Sequence, residues 1–110
     1  MKKEKISILI NDYSIKGIGT NKDNILSIKD NEVMTTFDLK NLVLTRASSD
    51  NKIKIDFLNK KIIYFIPTEN KEFFQKLTIF SLTNNTKQVI ISYQIEENKF
   101  LLEINHETIQ

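Results

Sequence analysis

Short runs in which apolar and polar residues alternate fill this chain, and a period of two marks a half-buried β-strand. The first run is Lys5 to Asn11, with Ile6, Ile8 and Ile10 on one face. After Asn11-Asp12, Tyr13 to Gly19 puts Tyr13, Ile15, Gly17 and Gly19 on a common face. Both glycines of the protein fall in this run, which predicts a bulge, a sharp bend or a close backbone approach. Thr20 to Asn24 reads as a loop. Ile25 to Lys29 and Glu32 to Leu39 follow, joined by Asp30-Asn31, whose side chains suit a turn. The second of these groups Val33, Thr35, Phe37 and Leu39. Leu42 to Ala47 comes next, and Ser48-Ser49-Asp50-Asn51 turns the chain again. Lys52 to Phe57 then alternates strictly, with Ile53, Ile55 and Phe57 in and Lys52, Lys54 and Asp56 out. Asn59-Lys60 leads into Ile62 to Ile66, which Pro67 ends because it has no N–H to give a ladder. After Asn84-Asn85, Gln88 to Ile95 aligns Val89, Ile91, Tyr93 and Ile95, and Lys99 to Ile104 aligns Phe100, Leu102 and Ile104. Residues 105–110 read as a loose tail.

Residues 69–82 support two readings. Phe73, Leu77 and Phe80 fit a helical face, and Thr68 with Glu72 resembles a helix start, which gives a short helix near 69–77. Thr78-Ile79-Phe80-Ser81-Leu82-Thr83 instead favours a strand near 73–82, and the strand is preferred. Turn signals about every ten residues are the spacing of an antiparallel meander. A flat sheet of that many strands would keep two bare edges and an open apolar face, and closure removes both. The expected fold is therefore all-β: an antiparallel up-and-down meander of about 8–10 short strands closing into a small barrel. A single domain spans residues 1–110. A pleckstrin-like domain is the alternative fold, with 69–82 as its closing helix, but two strand-like runs after that segment argue against it.

Composition narrows the function classes. A chain of 110 residues can bury a core without disulfides or metal. The absence of cysteine excludes a disulfide, thiol catalysis and a zinc–thiolate site, and it fits a reducing interior. No apolar stretch approaches the roughly 18 residues that span a bilayer. Ile6 to Ile10 is too short and too alternating for a signal-peptide core. The expected setting is cytoplasmic, with no membrane partner. The net charge of +2 is too small to imply nucleic acid. All sixteen basic residues but Arg46 are lysine, and twelve residues are asparagine. This bias lowers the information in each lysine or asparagine and raises it for Arg46.

Several segments bear a family likeness. They are Ile15-Lys16-Gly17-Ile18-Gly19, Thr35-Thr36-Phe37-Asp38-Leu39 and Leu42-Val43-Leu44-Thr45-Arg46, then Lys52 to Phe57 and Val89 to Ile95. In this order they resemble the YwiB-like family, small bacterial proteins of unknown function with a lipocalin-like (calycin-type) β-barrel. The resemblance covers most of the chain and implies that fold. It implies no activity. The chain is shorter than the family pattern, and Arg46 is followed by Ala47-Ser48 where the family has a small residue and a glycine. The trimmed loops count against a large cavity.

Arg46 is the first candidate for chemistry, because it is in phase with Leu42 and Leu44. A buried guanidinium needs a partner. That partner is either a structural carboxylate or the carboxylate or phosphate of a ligand in a barrel mouth. Tyr13, Phe37 and Tyr93 lie on inward phases, as do Tyr64 and Phe100, and would either wall such a ligand site or fill the core. His106 is the sole histidine and reads as an exposed tail residue, with no motif to build a Ser–His–acid set around it. One histidine and no cysteine leave no metal-ligand spacing, and no cofactor is expected. Lys52, Lys54, Lys60 and Lys61 with Tyr64 and Phe65 carry the basic–aromatic pattern of single-strand binders, but in a lysine-biased chain a solvated face explains them.

Three functions follow. The first is a noncatalytic lipocalin-like barrel that binds a small apolar or amphipathic ligand, with Arg46 as polar anchor and Tyr13, Phe37 and Tyr93 as walls. It expects an interior pocket of a few hundred Å3. The second is an interaction module or homodimer with a filled barrel, using 69–82 with Phe73, Phe74 and Phe80. The third, and weakest, is a nucleic-acid binder using the 52–65 hairpin. Enzyme activity is not expected, since no acid–base pair can be placed.

Overall fold

The computed structural model describes residues 1–109 and contains eleven strands and no helix among them. They are β1 (Lys2–Ile10), β2 (Tyr13–Lys22), β3 (Ile25–Asp30), β4 (Val33–Asp38), β5 (Val43–Ala47) and β6 (Lys52–Asp56). The rest are β7 (Lys61–Ile66), β8 (Lys71–Lys76), β9 (Thr78–Asn84), β10 (Gln88–Ile95) and β11 (Asn98–Thr108). All pairings are antiparallel. The sheet order is β8-β7-β6-β5-β4-β3-β2-β1-β11-β10-β9, so two meanders meet where the first strand pairs with the last. Ile8 lies opposite Ile104 in that seam, and Ile6 opposite His106.

The two terminal strands of the sheet are consecutive in the chain, with only Leu77 between them. β8 pairs with β7 and β9 pairs with β10, so one bent segment nearly closes the meander into a barrel. Leu77 is buried at the bend, and its N–H donates to the Lys60 carbonyl at 3.1 Å. On the other flank Gln75 Nε2 donates to Glu96 Oε1 at 2.8 Å.

The alternation expected from the sequence is the inward face of this barrel. Ile6, Ile8, Ile15, Leu26, Leu44, Ile62, Val89, Ile91, Leu102 and Ile104 are at most 2% exposed. Asparagine does the turn chemistry in a glycine-poor chain: Asn11, Asn24, Asn31 and Asn70 take positive φ, which asparagine tolerates better than most residues. The close approach expected at the glycines is found at Gly19, where a Cβ would collide with the Ser27 carbonyl on β3.

Two local expectations are corrected. Residues 69–77 do not form a helix: Lys71–Lys76 is strand β8. The helix-like step from Leu77 to Phe80 falls at a β-bulge. Tyr93 faces Ile79 and Ser92 faces Ser81, which leaves Phe80 as the extra residue and breaks the period of two. Residues 105–108 are not a loose tail. They continue β11, with Asn105 opposite Ser7 and Thr108 opposite Glu4. The ladder that orders them comes from the far end of the chain, and their own polar sequence does not announce it. Residue 110 lies outside the described residues.

Candidate ligand-binding site

Arg46 occupies the inward face of β5, two residues beyond Leu44. Its cross-strand neighbours are Thr35 on β4 and Ile53 on β6, and the same row runs on through Tyr64 to Phe73. A cavity of about 180 Å3 lies at this end of the barrel. Its walls are Ile10, Leu44, Ile53, Ile55, Ile62, Tyr64, Tyr93, Ile95 and Phe100, and Arg46 is the one charged side chain among them.

The guanidinium has an unusual set of partners. Nη2 donates to the Tyr13 hydroxyl at 2.9 Å, and Cζ stands 4.6 Å from the centroid of the Tyr13 ring. Nε is buried with no hydrogen-bond partner. Among the described residues no carboxylate pairs with Arg46, although a carboxylate is the simplest structural partner for a guanidinium in an apolar wall. A neutral hydroxyl and an aromatic face hold it instead, through a contact that is open to solvent. β2 reaches Arg46 because it is paired to β3 only over Thr20 to Lys22, which leaves its Tyr13 half free of that ladder.

The four candidate residues are therefore placed differently. Arg46 and Tyr93 line the cavity. Tyr13 is 43% exposed and touches Arg46 from outside, so it holds the anchor and is not a wall. Phe37 is corrected: it is wholly buried opposite Leu44, one step deeper than the Thr35–Arg46 pair, and does not reach the cavity. Tyr93 packs its ring edge-on to Phe57 at 5.1 Å and stacks on Phe100 at 5.3 Å. Burial, with the Tyr64 phenol nearby, pushes the Tyr93 hydroxyl up to about 12, so it stays neutral.

A second polar group sits at the other end. Glu4 and Ile10 share the inward face of β1 six residues apart, about 20 Å along a strand. The Glu4 carboxylate is buried; Oε1 lies 2.7 Å from His106 Nδ1, and Oε2 accepts from Asn21 Nδ2 at 2.6 Å. His106 is thus no exposed tail residue, because β11 carries it into the barrel and leaves its side chain 9% exposed. Both residues continue apolar phases, Glu4 two before Ile6 and His106 two after Ile104. That was the available signal. A polar hollow of about 470 Å3 surrounds them, with Lys2, Lys40, Lys87 and several asparagines on its rim.

Tyr64 turns in to the cavity, Phe65 sits opposite Lys52, and Glu72 sits opposite Phe65 and puts a carboxylate beside the lysines. Among the described residues no cluster of three potential metal ligands occurs. Among the described residues no helix is long and apolar enough to cross a membrane. Comparison with protein-family models, curated proteins and solved structures found no match.

Proposed function

We propose that this protein is a noncatalytic binding protein, which takes a small, partly apolar ligand at the Arg46 end of its barrel. One observation carries the reading: Arg46, with no carboxylate paired to it among the described residues, lines a hollow of about 180 Å3 that is otherwise apolar and aromatic. A purely structural arginine would be paired, and a purely structural core would be filled. The space is below the about 300–1,000 Å3 of sites for drug-sized molecules, so the ligand is small. A Tyr93 phenol pushed up to about 12 by burial exchanges no proton at neutral pH, which supports binding over catalysis. The YwiB-like, lipocalin-like resemblance agrees with this reading and implies a bacterial source, and the cysteine-free composition fits a reducing, cytoplasmic setting. Apolar residues face in and lysines face out, the reverse of a membrane barrel, and Glu72 beside the lysines weighs against nucleic acid.

The test is native mass spectrometry of freshly purified protein, followed by the same sample denatured. A bound mass that is lost on denaturation and absent from Arg46→Ala is expected. A clean mass, with no change in the cavity methyl resonances when small apolar compounds are added, overturns the reading.

A homodimer or interaction module is the second reading. Phe73, Phe74 and Phe80 are 49%, 64% and 55% exposed on the two terminal strands of the sheet. Sedimentation velocity on the wild type and on Phe74→Glu distinguishes it: a dimer that the substitution dissolves supports this reading, and a wild-type monomer at all concentrations excludes the homodimer.

A further inference from the structure

We propose that the mouth of the barrel opposite Arg46, around Glu4 and His106, is a second binding site, and that it takes the phosphate group of a small polar molecule. The one histidine is the anchor. The His106 side chain is 9% exposed, and its Nδ1 lies 2.7 Å from Glu4 Oε1. Asn21 holds the other oxygen of that carboxylate, so the ring is fixed before any ligand arrives. Nε2 has no hydrogen-bond partner among the described residues, yet it is not one of the unpartnered side-chain atoms that are sealed from solvent. It therefore opens on a hollow. Lys2, Glu4, Asn21, His106 and Thr108 share the inward face of their strands, and together they line the polar hollow of about 470 Å3, which is the barrel mouth. The other hollow that His106 borders is walled by outward residues such as Lys5, Lys16 and Asn105.

Charge sets the sign of the ligand. Lys2 on β1, Lys40 in the turn after β4 and Lys87 in the connection before β10 reach one rim from three separate parts of the chain. Glu107 is the one carboxylate there besides Glu4, and Glu4 is already engaged. A single lysine means little in this chain, but three around an unpartnered imidazole nitrogen give the mouth a positive potential. The proton inventory sets the group. Nε2 offers a proton or a lone pair, according to the state of the ring. A phosphate monoester, with a second pKa of about 6, carries both P–OH and P–O− near neutral pH and meets either. Sulfate and carboxylate bring acceptors alone. Size and polarity set the body. Leu39 is the only apolar side chain on the wall, beside four asparagines and two threonines. The hollow is larger than a bare phosphate and falls in the about 300–1,000 Å3 range of small-molecule sites, so the phosphate is carried on a sugar or polyol.

The chain itself supplies the probe for the test. His106 is the only histidine, so the folded protein shows one set of imidazole resonances that needs no assignment by mutation. Glycerol phosphate, glycerol and sulfate are titrated in turn into wild-type protein at constant pH and ionic strength. Glycerol phosphate is expected to move the His106 resonances saturably, with glycerol and sulfate at least about tenfold weaker. Lys40 and Lys87 are exposed and lie outside the strands, so the double variant Lys40→Ala, Lys87→Ala should keep a folded spectrum and bind glycerol phosphate about tenfold more weakly. Glycerol or sulfate that binds as tightly as glycerol phosphate overturns the phosphate assignment. A double variant that binds like the wild type also overturns it. Glycerol phosphate that leaves the His106 ring unmoved, or shifts only residues on the outer face, overturns the site itself. None of these outcomes touches the Arg46 cavity, which is read by its own methyl resonances.

Discussion

The Glu4 carboxylate and the His106 ring meet at 2.7 Å and tie the first strand of the barrel to the last. Asn21 occupies the other carboxylate oxygen, so the buried Glu4 is satisfied from both sides. Removing the imidazole leaves a desolvated carboxylate with one partner lost. His106→Ala is expected to lower stability by about 2–4 kcal/mol in urea unfolding. A change of at most about 0.5 kcal/mol, the size found at ordinary surface sites, would show that the pair contributes little.

The two glycines of β2 should respond in opposite ways. At Gly19 a Cβ would strike the Ser27 carbonyl and approach Ile6 Cδ1 to 2.7 Å, and a backbone oxygen cannot swing aside. At Gly17 the nearest atom would be Ile28 Cδ1 at 3.4 Å, an ordinary contact. Gly19→Ala is expected to cost about 2 kcal/mol or more by overpacking. Gly17→Ala is expected to be neutral or to stabilise by about 0.5–1 kcal/mol, because alanine loses less backbone freedom in a strand. Thermal melts of the two variants side by side decide it, and equal effects would refute the close β2–β3 approach at Gly19.

Which parts of this were legible in the sequence follows from what is local. Ile53, Ile55 and Phe57 announce their face because burial alternates with every residue, and Asn31 announces its turn because positive φ is a property of one residue. Arg46 stood out because it continued the phase of Leu44. Its partner could not be read, since Tyr13 lies 33 positions away and meets it only after the barrel forms. The Glu4–His106 contact spans 102 positions and depends on the β1–β11 seam, which no local pattern encodes. Phe37 misled for the complementary reason: phase tells that a side chain points in, not how deep along the barrel it sits.

Tyr93 gives a pH signature. Its phenol titrates near 12 in the folded chain against 10.0 for an unperturbed tyrosine, because burial penalises the phenolate. The folded state therefore favours the protonated form. The contribution is complete below pH 10 and is lost as pH rises from about 10 towards 12, where the unfolded chain ionises first. Two pH units correspond to about 3 kcal/mol. Urea unfolding of wild type and Tyr93→Phe across this window should show a steeper alkaline loss in the wild type. Parallel curves would mean that the Tyr93 hydroxyl is reached by water.

Thr35 sits opposite Arg46 in the antiparallel ladder, and its hydroxyl is buried with no hydrogen-bond partner. An unmatched buried hydroxyl destabilises a fold by about 1–3 kcal/mol relative to an apolar group of the same shape. Valine has that shape and prefers strands. If the hydroxyl serves only packing, Thr35→Val should raise stability by about 1 kcal/mol, with no effect on ligand. If it serves the site, as an acceptor or donor beside Arg46 when a ligand is seated, the variant should still gain stability and should lose the copurifying mass. Both readings require the gain in stability. A loss of stability would mean that the hydroxyl has a partner in solution, and the unmatched polar row of Thr35 and Arg46 would cease to argue for a ligand.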